Sequence, residues 1–210
     1  MSPDPLHLYP NGTPLYNVML HSLVPVFLSL STDLHVNGHQ HVPRSGPLII
    51  ISNHVDNLDT YVIGAQVPRL IHFFARSDGV HSRWLGLYWR LMAAVPADRE
   101  GFNIALSLLR REHAIGVFSE GTISPSLVRA KAGVALLALR SGAPVLPCAV
   151  WGTERLLRGP GDALRRQPVH LRFGRPRTLK RGSGRAQDLA DSLMGDVAAM
   201  LPPRYRGYYR

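Results

Sequence analysis

The chain has 210 residues, with 24 Lys and Arg against 14 Asp and Glu, a formal net charge of +10, 45% hydrophobic residues and 18% charged ones. That balance excludes a solvated disordered chain, and 19 Gly with 17 Pro in no G-X-Y period exclude collagen. One globular domain with one sizeable core is expected at this length.

The charge is unevenly spread. Residues 1–98 carry 5 Arg against 6 Asp, whereas residues 99–210 carry 19 basic against 8 acidic residues. Residues 151–185 alone hold 10 basic side chains, opposed only by Glu154 and Asp162. Such a surface suits nucleic acid, an anionic membrane or a polyanionic soluble ligand. Nucleic acid is the poorest fit, because only Trp151 and Phe173 interleave aromatic rings with that charge. The single cysteine, Cys148, excludes an intrachain disulfide and a Cys-based zinc site, and fits a reducing compartment. Within the apolar run 145–150 it reads as a small buried side chain rather than a nucleophile.

In chain order, the start Met1-Ser2-Pro3-Asp4-Pro5 has no positive region ahead of its first apolar stretch, so no cleaved signal peptide is expected. Residues 15–30 are too apolar for a free surface helix. Broken by Pro25 and by serines, they fall short of the roughly 20 apolar residues that cross a bilayer. They either pack as core or lie in a membrane interface. Next, 34–36 and 39–42 flank Asn37-Gly38, which predicts a hairpin with a type I′ turn. His35, His39 and His41 alternate there without an acidic partner, the pattern of solvent-facing residues rather than metal ligands.

Apolar β runs at 47–52, 70–75, 114–118, 145–150 and 169–173 predict the main sheet, with 47–52 buried on both faces. Helical patterns fall between and after them. Asn103 is read as an N-cap ahead of the stripe Ile104, Leu108 and Leu109. The run 131–140 is apolar nearly all round and ends at Gly142, a C-cap. Leu189, Leu193, Val197 and Met200 recur at helical spacing until Pro202, and 204–210 reads as a frayed end. The expected fold is α/β: a single domain with a mostly parallel central sheet flanked by helices, preceded by an apolar N-terminal helical segment. Its divisions are 1–32 for that segment, 33–201 for the domain and 202–210 for a basic tail.

Two stretches carry chemistry, each at the end of a predicted strand, where α/β proteins put their sites. The first is Asn53-His54-Val55-Asp56-Asn57-Leu58-Asp59. A histidine serves as general base near neutral pH, and a carboxylate on its second ring nitrogen fixes the tautomer. Five positions apart on one helix would separate the side chains by about 140°. His54 is therefore expected in the loop, with Asp59 reaching it from the helix start. The second stretch is Phe118-Ser119-Glu120-Gly121-Thr122-Ile123-Ser124, where Gly121 lets a ligand approach the backbone while Glu120 and Thr122 offer hydrogen bonds.

Taken in this order, the stretches resemble the glycerolipid acyltransferase family that includes 1-acylglycerol-3-phosphate acyltransferases. That family is marked by an Asn-His-x4-Asp block and a Phe-Pro-Glu-Gly-Thr-Arg-Ser block. Asn53, His54 and Asp59 match the first block, and Phe118, Glu120, Gly121, Thr122 and Ser124 match the other. Between them, Ala94-Val95-Pro96-Ala97-Asp98-Arg99 looks like a further block whose arginine lies near the acceptor's polar head. Lys131-Ala132-Gly133 has a counterpart in the family, as does the stretch 143–150 around Pro147. The resemblance runs from about residue 34 to about residue 173 and, being four blocks in order, is far more specific than any one of them.

The resemblance implies acyl transfer from acyl-CoA or acyl carrier protein, as co-substrate, to the hydroxyl of a lysophospholipid, giving phosphatidic acid from 1-acylglycerol-3-phosphate. It implies no metal and no further cofactor. His54 and Asp59 would be catalytic, with Asn53, Arg99, Glu120, Gly121, Thr122 and Lys131 binding substrates and backbone N–H groups near Gly121 as oxyanion donors. The implied partners are the acyl donor, the lysolipid and an anionic membrane surface, at the cytoplasmic side in a peripheral or monotopic seat, with no nucleic acid. Two departures bear on this. Ser119 stands where the family has proline, and Ile123 where it has an arginine suited to an anionic head group. Arg99 or Arg129 would supply that charge, or else the acceptor lacks a phosphate. An ester or thioester hydrolase using the same His/Asp pair is the other alternative.

Overall fold

The run Leu48–Ser52 holds three successive β-branched isoleucines between a leucine and a serine, and in the computed structural model it forms the centre of a sheet, every residue buried. The structure describes residues 14–82, 86–156, 159, 165–180 and 182–210. Among these the sheet has seven strands: β1 (Thr32–Asn37), β2 (Leu48–Ser52), β3 (Ile71–Ala75), β4 (Val95–Pro96), β5 (Ala114–Phe118), β6 (Val145–Trp151) and β7 (Gln167–Phe173). Their order is β1-β7-β6-β2-β5-β3-β4, and every neighbouring pair is parallel except β6 with β7. All five expected strands are present. The two added are β1, half of the expected hairpin, and the two-residue β4, too short to leave a periodic signal.

Alternate residues of β2 feed two cores. Ile49 and Ile51 meet α6 (Arg99–Arg110), α7 (Gly133–Ser141) and α8 (Ala186–Met200), through Leu108, Leu137 and Leu193. Leu48 and Ile50 face the side built by α3 (Asp59–Gln66) and the N-terminal segment, which contribute Ile63 and Leu20. Fully burying each such side chain stabilises the fold by about 1.5–3 kcal/mol. Two short helices, α4 (Ser77–Val80) and α5 (Gly86–Leu91), lie between β3 and β4 in sequence.

The N-terminal segment consists of α1 (Pro14–Val18), a π turn at Met19–Leu23 and α2 (Val24–Ser31), which restarts with proline in its first turn. Tyr16, Leu20, Val24 and Leu28 are buried, and Tyr16 Oη accepts the Ile71 N–H at 3.1 Å. Burial pushes that hydroxyl's pKa up to about 12. A Cβ on Gly64 of α3 would sit 2.8 Å from Leu20 Cδ1, so the segment packs closely there. Val18, Leu23, Val26 and Leu30 are exposed, 50 to 68% of each accessible. One face is therefore core and another is bare apolar surface.

Three local expectations are corrected. Asn37-Gly38 does not close a hairpin: only Gly38 has positive φ, at +78°, and the chain enters a 3-10 turn at His39–His41. A Cβ on Gly38 would lie 2.0 Å from Phe173 O, and His41 Nδ1 donates to that carbonyl at 3.1 Å, so the turn is moulded on β7, to which β1 pairs in parallel. The helix expected to begin at Asn103 begins at Arg99. Its cap is Asp98, extended at φ −139°, whose Oδ1 accepts the Gly101 N–H at 2.9 Å. The C-terminal residues are not frayed: Tyr205 is buried, and Pro203–Tyr205 and Gly207–Tyr209 form 3-10 turns. α7 does end as expected, at Gly142 with φ +70°.

Candidate active site

Strands β2, β5 and β6 are parallel neighbours, with Ser52 opposite both Phe118 and Cys148. β2 and β5 end level and β6 runs three residues further in the same direction, so the segments that follow bring His54, Glu120 and Thr153 to one end of the sheet. Asn53 locks two of these ends together: its Nδ2 donates to Val150 O at 2.7 Å and its Oδ1 accepts the Val150 N–H at 2.9 Å. The buried carboxamide thereby ties the end of β2 to β6 on both of its polar atoms. Asn53 was expected to bind substrate, and in the structure these are the partners of its side chain.

His54 lies in the loop and Asp59 is the first residue of α3, as the spacing requires. His54 Nδ1 and Asp59 Oδ2 are 2.9 Å apart. The same oxygen accepts the Val55 N–H at 2.7 Å and the Asp56 N–H at 2.9 Å, while Oδ1 accepts Thr153 Oγ1–H at 2.5 Å. Asp59 is completely buried, and that burial raises its pKa. The bonds from His54, Asp56 and Thr153 oppose the rise, and four donors with no competing acceptor suit the ionised form. The imidazole lies flat against Phe118, ring centroids 3.8 Å apart at 12°, so it cannot turn freely. With Nδ1 committed to Asp59, Nε2 is the nitrogen left for chemistry.

Glu120 is buried, and both its oxygens are engaged by backbone: Oε1 accepts the His54 N–H at 3.2 Å, and Oε2 the Val128 N–H at 2.7 Å. Burial pushes its carboxyl up to about 7, against the pull of those bonds. Glu120 thereby clamps the loop bearing His54. Ser124 N–H closes that clamp by donating to His54 O at 2.8 Å. The Gly121 N–H donates to Phe118 O at 3.0 Å, so it is not a free oxyanion donor. Thr122 and Ile123 are exposed on the same loop, Ile123 by 45%.

Beside Phe118 opens a cleft of about 510 Å³, lined also by Ser119, Gly121, Lys131, Arg76 and Asp98. Gly121 has φ +70°, a conformation that favours glycine, and the end of the Lys131 side chain lies over its α-carbon. A second hollow of about 430 Å³ shares Asp98, Phe102 and Gly133 with the first and carries Arg99, Asn103 and Arg140. Lys131 and Arg99 thus stand on adjoining hollows. Arg129 turns elsewhere, donating to Asp191 Oδ2 at 2.9 Å through Nη2. Thr153 escaped the sequence reading, as did the stacking on His54 of Phe118, a residue matched there to the second block. The signal for Thr153 was available, since it stands just past the end of an apolar β run, as His54 and Glu120 do.

No group of His, Cys, Asp and Glu among the described residues is arranged to hold a metal ion. His35 instead pairs with Asp33 and stacks on His170.

Comparison with known proteins points the same way as the geometry. The acyltransferase family model matches residues 33–151. A 1-acyl-sn-glycerol-3-phosphate acyltransferase of Bacillus subtilis is 26% identical over 155 residues, covering 69% of this chain and 78% of the relative. One of Saccharomyces cerevisiae is 26% identical over 161 residues, covering 71% of this chain but 53% of that longer protein. In fold, the chain is similar to the crystal structure of the 1-acyl-sn-glycerophosphate (LPA) acyltransferase PlsC of Thermotoga maritima. The TM-score is 0.69 at 24% identity, over 84% of this chain and 74% of that one.

Proposed function

The chain belongs to the acyltransferase family, and from that premise we propose that it moves a fatty acyl group from a thioester donor, acyl-CoA or acyl carrier protein, to the free hydroxyl of 1-acylglycerol 3-phosphate, giving phosphatidic acid. The names of the two curated relatives support the acceptor. The observation that carries the chemistry is the His54–Asp59 pair, 2.9 Å apart at the end of the central strand.

In this reading His54 Nε2 takes the proton of the acceptor hydroxyl as its oxygen attacks the thioester carbonyl carbon. Asp59 holds the tautomer and stabilises the imidazolium. When the C–S bond breaks, the imidazolium proton passes to the leaving thiolate, so no acyl-enzyme forms. Cys148 takes no part: it is wholly buried, and burial raises its pKa far out of range. The acceptor phosphate is assigned to Lys131 and Arg99 on the adjoining hollows, with a hydrogen bond from Thr122, exposed on the Glu120 loop, in place of the arginine absent at position 123.

We further propose a peripheral seat on an anionic membrane at its cytoplasmic side: the basic surplus of residues 99–210 supports attraction to anionic lipid, and the exposed Val18, Leu23, Val26 and Leu30 support the apolar contact. Spaced by about a turn across a segment that includes a π turn, they share a face opposite the buried Tyr16, Leu20 and Leu28. No helix among the described residues is long and apolar enough to cross a membrane.

The test is to incubate the purified protein with labelled acyl-CoA or labelled acyl carrier protein and a panel of lysolipids with and without phosphate. Phosphatidic acid as the main product supports the proposal, and release of free fatty acid at equal rates with and without acceptor supports a hydrolase instead.

A further inference from the structure

The C-terminal residues 203–210 lie outside the span matched by the family model, yet they grip the loops that hold both members of the His54–Asp59 pair. Tyr208 N–H donates to Leu127 O and Leu127 N–H to Tyr205 O, both at 2.8 Å. Between them Gly207 has φ +45°, and a Cβ there would fall 2.0 Å from Leu127 O, so the backbones touch where only glycine fits. Tyr209 Oη accepts the Ala130 N–H at 2.9 Å and donates to Asp191 Oδ1 at 2.7 Å. Residues 127–130 are thus fixed from the tail. Val128, within that stretch, supplies the N–H held by Glu120 Oε2, and Glu120 Oε1 holds His54.

A second route reaches Asp59. Tyr205 Oη donates to Glu154 Oε1 at 2.7 Å, and Glu154 Oε2 accepts the Gly152 N–H at 2.8 Å. The residue between, Thr153, donates to Asp59 Oδ1. We propose that the tail is a brace for the reaction, in which Tyr209, acting through residues 127–130 and Glu120, and Tyr205, acting through Glu154 and Thr153, are positioning residues for His54 and Asp59. The brace rests on the reading of His54 and Asp59 as the catalytic pair.

Each phenol can be deleted with one oxygen atom. Tyr209→Phe is expected to lower kcat about tenfold, the scale of one lost hydrogen bond, with KM for donor and acceptor within about twofold of wild type. In a Glu120→Gln background the same change is expected to cost nothing further, because the path it acts through is already broken. Tyr205→Phe should be silent in the same way beside Thr153→Val. Destabilisation of the fold alone would lower activity by the same factor in both backgrounds. That result, or an unchanged kcat in either single variant, overturns the brace. Should Tyr209→Phe not fold, Asp191→Asn, which alters the acceptor of the same hydroxyl, is judged by the same criteria. His54→Ala in the same assay separates the claims: its activity near wild type defeats the catalytic reading, whereas its inactivity beside a fully active Tyr209→Phe defeats only the brace.

Discussion

Glu120 holds His54 by the backbone rather than by the ring: its Oε1 accepts the His54 N–H at 3.2 Å while its Oε2 accepts the Val128 N–H at 2.7 Å. The ring is left to Asp59 and Phe118. Position and chemistry of the histidine are therefore controlled by different carboxylates, Glu120 on the loop after β5 and Asp59 at the start of α3.

This arrangement has a pH signature. Glu120 is pushed up to about 7 from 4.5, chiefly by burial, so between those values the folded protein keeps a proton that the unfolded chain has lost. Its contribution to stability therefore falls as pH rises through that window and is level above it. The difference in Tm between wild type and Glu120→Gln, measured from pH 4.5 to 8, should shift by several degrees against the wild type. A difference that does not change with pH would show that Glu120 titrates as it does in the unfolded chain.

Thr153→Val removes the hydroxyl that donates to Asp59 Oδ1 at 2.5 Å and keeps the side chain's shape. Without that bond a buried acceptor goes unpaired, and kcat should fall about tenfold, with less effect on KM. Steady-state kinetics on both substrates check this.

At the acceptor, Arg99→Ala should raise the apparent KM for 1-acylglycerol 3-phosphate about tenfold, the scale of a charge-assisted hydrogen bond. Because Ile123 is exposed on the Glu120 loop, Ile123→Arg should fold normally and be neutral or helpful with that acceptor. Assaying both variants on phosphorylated and unphosphorylated lysolipids decides the matter. If neither changes the preference, these positions do not face the acceptor.

Membrane seating is tested on Leu23→Glu/Val26→Glu, two exposed positions whose change leaves the buried face of the segment intact. Wild type should sediment with anionic vesicles and be released only in part by salt, since screening weakens the electrostatic share alone. The double variant should be released almost fully. Equal binding by both proteins would return this segment to a purely packing role.

The sheet was legible because parallel strands buried on both faces leave apolar runs that no surface element imitates, as in 48–52 and 145–150. The spacing of His54 and Asp59 likewise dictated a loop and a helix start. What escaped depended on tertiary contact. Asn37-Gly38 carries a hairpin signal that β7 overrides, because Gly38 packs on Phe173 O. The hydrogen bonds of Asn53 to β6 and of Glu120 to the His54 loop also join segments far apart in sequence, so no local signal announces them. The tail was misread because its stabilising contacts reach residues about 80 positions away, as between Tyr209 and Ala130, and local pattern carries no trace of such contacts.

The central claim is that His54 is the base. The direct measurement is transfer of labelled acyl groups to 1-acylglycerol 3-phosphate by wild type, Asp59→Asn and His54→Ala, with folding checked by circular dichroism. Transfer should be lost in folded His54→Ala and reduced somewhat less in Asp59→Asn. Turnover near wild type in His54→Ala would contradict the account.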